Sequence, residues 1–106
     1  MILIDSNILI YSADEEFSNL RELFKEPDTF VSIISKLEVL GYHKITSKQI
    51  IYFDAVFKLL VNLPLTNELI TQAITYRQIK SMSVGDSIIA ATAKLYQCDL
   101  FTNNVS

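Results

Sequence analysis

Residues 1–7 read Met1-Ile2-Leu3-Ile4-Asp5-Ser6-Asn7, and the reading of this stretch decides the fold. Three apolar residues in a row, closed by an acid, suit a short strand buried on both faces. Asp5 or Ser6 is then placed to cap a helix over residues 6–13.

Outward from this unit the pattern repeats. A second helix is expected over 17–25, with Phe17, Leu20, Leu23 and Phe24 on one side and Pro27 and Asp28 breaking it. The β-branched and aromatic run at 29–34, TFVSII, reads as a strand. A helix over 35–43 follows and stops near Gly41. Thr46-x-x-Gln49 has the form of a capping box and opens a long helix to about residue 61. Its residues Ile50, Phe53, Phe57 and Leu60 recur at helical spacing. Residues 62–65 form a short strand, 67–80 a helix, and 84–97 another whose IIAATA face is small enough to lie close against a sheet. Residues 100–102 form the last strand.

Strands alternating with helices argue for βαβ units and a parallel sheet. The expected fold class is α/β, a three-layer α/β/α sandwich. Right-handed crossovers put the C-terminal ends of all strands on one edge. In open α/β sheets the chemistry gathers beyond that edge, so the polar residues found there become the candidates.

Composition fits this reading. The chain has 106 residues, half of them apolar and a fifth charged, with two glycines and two prolines. A single domain over 1–106 with a real core is expected, and disorder is not. No apolar run approaches the roughly 20 residues of a membrane span. The N-terminus lacks the basic region of a signal peptide, and Asp5 and Asn7 interrupt its apolar run. One cysteine, Cys98, cannot form an internal disulfide and reads as a small apolar residue near a helix end, which suits a reducing cytoplasm.

The net charge of −3 is unevenly spread. Residues 1–35 carry two basic and seven acidic side chains, residues 36–80 six basic and three acidic, and residues 81–106 one basic and two acidic. Bulk charge disfavours nucleic-acid binding. An RNA substrate would need the basic middle segment and a bound metal to supply a positive field.

Three acids have an address at the strand edge. Asp5 ends the first strand, Glu38 is expected in the first turn of the helix after the second, and Asp86 in the first turn of the small-residue helix. Each has a plainer reading as a helix cap: Ser35-x-x-Glu38 and Ser83-x-x-Asp86 both have capping-box spacing. Three carboxylates on one edge repel one another, however, and a hard divalent cation relieves that conflict through oxygen ligands. Asn7 is placed to orient Asp5 or simply to bond at the helix start. Thr102 and Asn104 follow the last strand, where they can hold water or phosphate or make an ordinary turn. His43, the one histidine, reads as a surface residue.

The segments I-D-S-N (4–7), S-K-L-E-V-L-G (35–41), V-G-D-S-I-I-A-A-T-A (84–93) and L-F-T-N-N (100–104) together resemble the PIN-domain family, and most closely its VapC-type toxins. The resemblance implies Mg²⁺- or Mn²⁺-dependent endonucleolytic cleavage of RNA. It places Asp5, Glu38 and Asp86 on the family's first three acids, as metal ligands and catalytic residues, with Thr102 and Asn104 on its T-x-N element and Asn7 in support. It also implies a homodimer and a cognate antitoxin. The family's fourth acid and final strand have no counterpart before Ser106, so a chain truncated at its C-terminus is expected. Two other readings stand beside the nuclease. One is a non-catalytic or truncated module of this type that binds an antitoxin or other protein. The other is a phosphatase of another α/β fold with Asp5 as nucleophile, which lacks the second Asp and the phosphate-clamping lysine it would need.

Overall fold

A computed structural model describes residues 1–102. The elements run β1 (Ile2–Ile4), α1 (Ser6–Ser12), a 3-10 segment (Glu15–Lys25), β2 (Thr29–Ser32) and α2 (Ile33–Leu40). They continue with α3 (Ser47–Leu59), β3 (Val61–Leu63), α4 (Asn67–Ile79), α5 (Val84–Leu95) and β4 (Asp99–Phe101). All three strand pairings are parallel, and the sheet order is β3-β2-β1-β4. The chain winds from β1 through β2 to β3, then crosses back to the far side of β1. The winding therefore reverses between β1 and β4, and in open sheets the crevice opens at such a reversal.

Side-chain alternation along these short strands sorts the helices into two layers. Ile4 and Val31 are paired in register and share one core with Ile8, Leu9, Phe53 and Phe57 from α1 and α3. Leu3, whose register partner is Phe30, faces the other way and packs with Leu63 and with Ile89 of α5. Leu69 and Ala73 of α4 meet Ile88 and Ala91 of α5 in the outer part of that layer. The expected three-layer sandwich is thus the observed one; on α5 it is Ile89, with Ala93 beside it, that meets the sheet, while the small residue Ala91 faces α4 instead.

Helix α2 belongs to neither layer alone. Its Val39 joins the α1/α3 core while Ile34 packs into the α5 side. It lies as a wedge across the sheet's C-terminal edge, next to α1 and α5. Helix α1 has only seven residues, too few to be stable by itself. Its far end is clamped by side chains. Ser12 donates to the Leu9 carbonyl at 2.6 Å, and Tyr52 of α3 reaches Ser12 Oγ at 2.9 Å. Arg21 Nε donates to the Ser12 carbonyl at 2.8 Å, its guanidinium 5.1 Å from the Tyr52 ring centroid.

Several expectations are corrected. Residues 33 and 34 are helical: Ser32, not Ser35, is the cap, and its hydroxyl accepts from the Ile34 N–H. Two β-branched residues had extended the expected strand too far, but a cap and an apolar stripe outweigh that propensity. The 17–25 helix is a 3-10 segment starting at Glu15, kinked at Phe17. The capping box at Thr46 and Gln49 is present with both bonds, at 3.1 and 3.0 Å, but Ile50 is exposed rather than part of the buried stripe. Cys98 is half-buried, and desolvation pushes its thiol up. Among the described residues no helix is long and apolar enough to cross a membrane.

Leu3 and Ile4 are both fully buried and hold the two layers to the sheet. Ile4→Ala is expected to cost about 2–5 kcal/mol through lost burial and the cavity left behind, read as a lower urea midpoint with the slope unchanged.

Candidate metal centre

Asp5 stands where β1 becomes α1, at the N-cap position and in extended conformation. Its backbone N–H donates to the Phe101 carbonyl at 3.2 Å, which ties the ends of β1 and β4 together. Its side chain makes no capping bond. Among the described residues the half-buried carboxylate has no hydrogen-bond or ion-pair partner.

Glu38 is not in a first turn. It is the sixth residue of α2, and no capping box joins it to Ser35. Instead its Oε1 accepts from Ser6 Oγ, 2.8 Å away. Ser6 follows Asp5 directly in sequence. On its other side the Glu38 carboxylate lies against Gly85: a Cβ built there would stand 3.0 Å from Glu38 Cδ and inside contact distance of Oε2. Gly85 precedes Asp86. One exposed side chain therefore spans from the residue after Asp5 to the residue before Asp86.

Asp86 lies in the first turn of α5, where its N–H donates to Ser83 Oγ at 3.0 Å. The reciprocal bond that would complete a capping box is absent from this helix start, and the Asp86 carboxylate is exposed. None of the three acids thus spends its carboxylate on a helix end. None is ion-paired either: the described ion pairs join Asp28 to the N-terminus, Glu15 to Arg21, Glu22 to Lys25 and Asp54 to Lys58.

Hard oxygen donors with no resident cation are the donor chemistry that suits Mg²⁺ or Mn²⁺. Among the described residues, however, no three Asp, Glu, His or Cys side chains stand grouped so as to hold an ion. The convergence is one of helix starts bridged by Glu38. Asn7 is exposed on α1 and Thr102 is exposed just beyond β4. Asn104 lies outside the described residues. His43 is exposed, its ring meeting Tyr42 edge-on. Beside Glu38, a cavity of about 300 Å³ is lined by Ile10, Val39, Tyr42, Ile45 and Phe53.

Sequence reasoning missed Ser6, Ser35 and Gly85. A signal existed for Gly85, one of only two glycines and next to a candidate acid. Ser35 and Glu38 were seen as a spaced pair, but the spacing fits one helix face as well as a cap. Ser6 was marked only as an alternative helix cap; the cap is Asp5, and nothing local pointed to the bond from Ser6 to Glu38.

The sequence matches the family model of the PIN domain over residues 2–105. No curated protein is significantly similar to it in sequence. Among solved structures, a toxin–antitoxin complex from Klebsiella pneumoniae aligns with a TM-score of 0.78 at 26% identity, covering 100% of this chain and 88% of that one. The Mycobacterium tuberculosis VapC20 toxin, which cleaves the sarcin-ricin loop, aligns with a TM-score of 0.75 at 13% identity, covering 98% and 90%. VapBC2 from Rickettsia felis, bound to a promoter DNA fragment, aligns at 0.74 and 20% identity, covering 100% and 90%. At those identities the last two likenesses speak for the fold.

Capping and acid are separable at α5. Ser83→Ala is expected to lower stability by about 1 kcal/mol. In high salt, which screens the helix dipole, Asp86→Ala should cost less. Urea unfolding of both variants checks this.

Proposed function

This chain belongs to the PIN domain family, and from that premise we propose that it is a metal-dependent endoribonuclease, the toxin of a toxin–antitoxin pair. The observation that carries the reading is the Glu38 carboxylate, which reaches Ser6 beside Asp5 and Gly85 beside Asp86. The absence of an ion-pair partner for any of these acids among the described residues supports it.

In this reading Asp5, Glu38 and Asp86 are the ligands and catalytic residues. Mg²⁺ or Mn²⁺, when bound, neutralises charge on a phosphoryl oxygen and eases deprotonation of water. The carboxylates fix where that charge sits. Asn7 orients Asp5, and Thr102, just beyond β4, contacts the phosphate; the role of Asn104 in holding phosphate or water is carried by the family likeness alone. Single-stranded RNA is the substrate class, since unstacked strands expose their backbone and bases. The structural likeness to toxin–antitoxin complexes supports an antitoxin partner. Apolar side chains left exposed on the helices, Leu37, Ile74 and Ile79 among them, support a homodimer. The cytoplasm, where RNA is available, is the compartment.

A second reading is a module of the same fold that binds an antitoxin without cutting. The apolar cavity at the rim of Glu38 favours it, being suited to a partner's side chain.

Cleavage of a mixed-sequence single-stranded RNA separates the two. The nuclease reading expects cutting with Mn²⁺ or Mg²⁺ that stops in excess chelator. Asp5→Asn and Asp86→Asn should each slow it by about 100-fold or more with the far-UV spectrum unchanged. Equal cutting in chelator would remove the reading. Mn²⁺ at 100 times its dissociation constant should also stabilise the chain by about 2.7 kcal/mol in thermal unfolding. That gain should be lost in Asp86→Asn; no gain in the unsubstituted chain favours the binding module.

A further inference from the structure

Ser6 Oγ lies 2.8 Å from Ser35 Oγ and 2.8 Å from Glu38 Oε1. A serine hydroxyl has one proton to give, and a carboxylate can only accept. The proton of Ser6 therefore goes to Glu38, and the Ser35 hydroxyl turns its own toward Ser6. The bonds run in one direction, from Ser35 to Ser6 to Glu38. Ser35 is fully buried and Ser6 is 7% exposed, so water competes little for either hydroxyl. Each donor in such a row strengthens the next, and the last bond is charge-assisted.

Ser35 and Glu38 stand three residues apart on α2, and Ser6 sits between them as the first residue of α1. Across the crevice, Gly85 leaves the space that the other Glu38 oxygen fills. A methyl group there would meet the carboxylate at less than contact distance. The neighbour that would have to give way is the free end of a flexible side chain, so the chain can fold with it displaced.

We propose that Ser6 and Gly85 are positioning residues for Glu38: the first draws its carboxylate toward Asp5, and the second leaves it room beside Asp86. The proposal rests on the reading of Glu38 as a metal ligand, and deepens it by naming what aims that ligand. Groups that orient a ligand in this way typically govern affinity by about 10- to 100-fold.

The test uses the full chain and Mn²⁺ alone, with binding read by calorimetry. Ser6→Val and Ser6→Thr are nearly the same shape, but only the second keeps a hydroxyl. Ser6→Val and Gly85→Ala should each weaken Mn²⁺ binding by about 10-fold or more, and Ser6→Thr should restore most of it. In a Glu38→Ala background, neither substitution should weaken binding further. Losses of the same size in both backgrounds would overturn the proposal, as would full affinity in Ser6→Val. A second cycle needs no metal: in chelator, the urea midpoints of Ser6→Ala, Glu38→Ala and the double variant should be non-additive. Should the unsubstituted chain bind no Mn²⁺, the nuclease reading fails and this cycle alone decides, additive midpoints rejecting the positioning contact.

Discussion

The parallel pairing of β1 with a strand on each side is the constraint on which the structure depends. Three residues, Ile2–Ile4, carry both pairings and anchor both helical layers, with Leu3 turned one way and Ile4 the other. Parallel strands demand crossovers, and crossovers of one hand bring every strand end to the same edge. Asp5 is where β1 runs out. The bond from its N–H to the Phe101 carbonyl keeps β4 beside it, so the crevice has two walls. Helix α2 closes the third side because its two apolar faces belong to different layers.

Carboxylates are put to two different uses in this chain. Asp28, Glu15, Glu22 and Asp54 lie on the outside and meet cations at 2.8–3.6 Å. Exposed pairs of that kind contribute about 0–1 kcal/mol each. Asp5, Glu38 and Asp86 meet none of those cations. Of the three, the Glu38 carboxylate is held by a hydroxyl, that of Ser6; Ser83 accepts from the Asp86 N–H and does not engage its carboxylate, and the Asp5 side chain makes no capping bond. A hydroxyl fixes the direction of a carboxylate without cancelling its charge. The edge therefore keeps its negative field, the property a cation or a basic partner side chain would respond to.

What the sequence disclosed, and what it did not, follows from the range of the forces involved. The alternation of strands and helices, the parallel pairing and the layered sandwich come from local periodicity and the crossover rule; the order β3-β2-β1-β4 does not, because no local pattern says on which side of β1 a crossover lands. Thr46 and Gln49 formed the expected box because both bonds close within one turn. Ser32 and Ser35 illustrate the limit. Both precede helical residues, and TFVSII satisfies strand propensity through residue 34, so the true cap lay inside the apparent strand. That three-residue shift moved Glu38 from a first turn to a second. The addresses of Asp5 and Asp86 were legible because a strand end and a helix start define them. The Ser6 contact joins residues 32 apart and the Gly85 contact joins two crossovers, and no window of sequence contains either.

That separation has a bearing on how the chain comes into being. Asp5 arrives with the first crossover, Glu38 with the second and Asp86 with the third. Contacts between such distant segments form late, since the intervening loops must close before any reward is gained. A ribosome-bound or half-folded chain holds the acids but not their arrangement. Whatever this edge does to its target begins only when synthesis and folding are essentially complete.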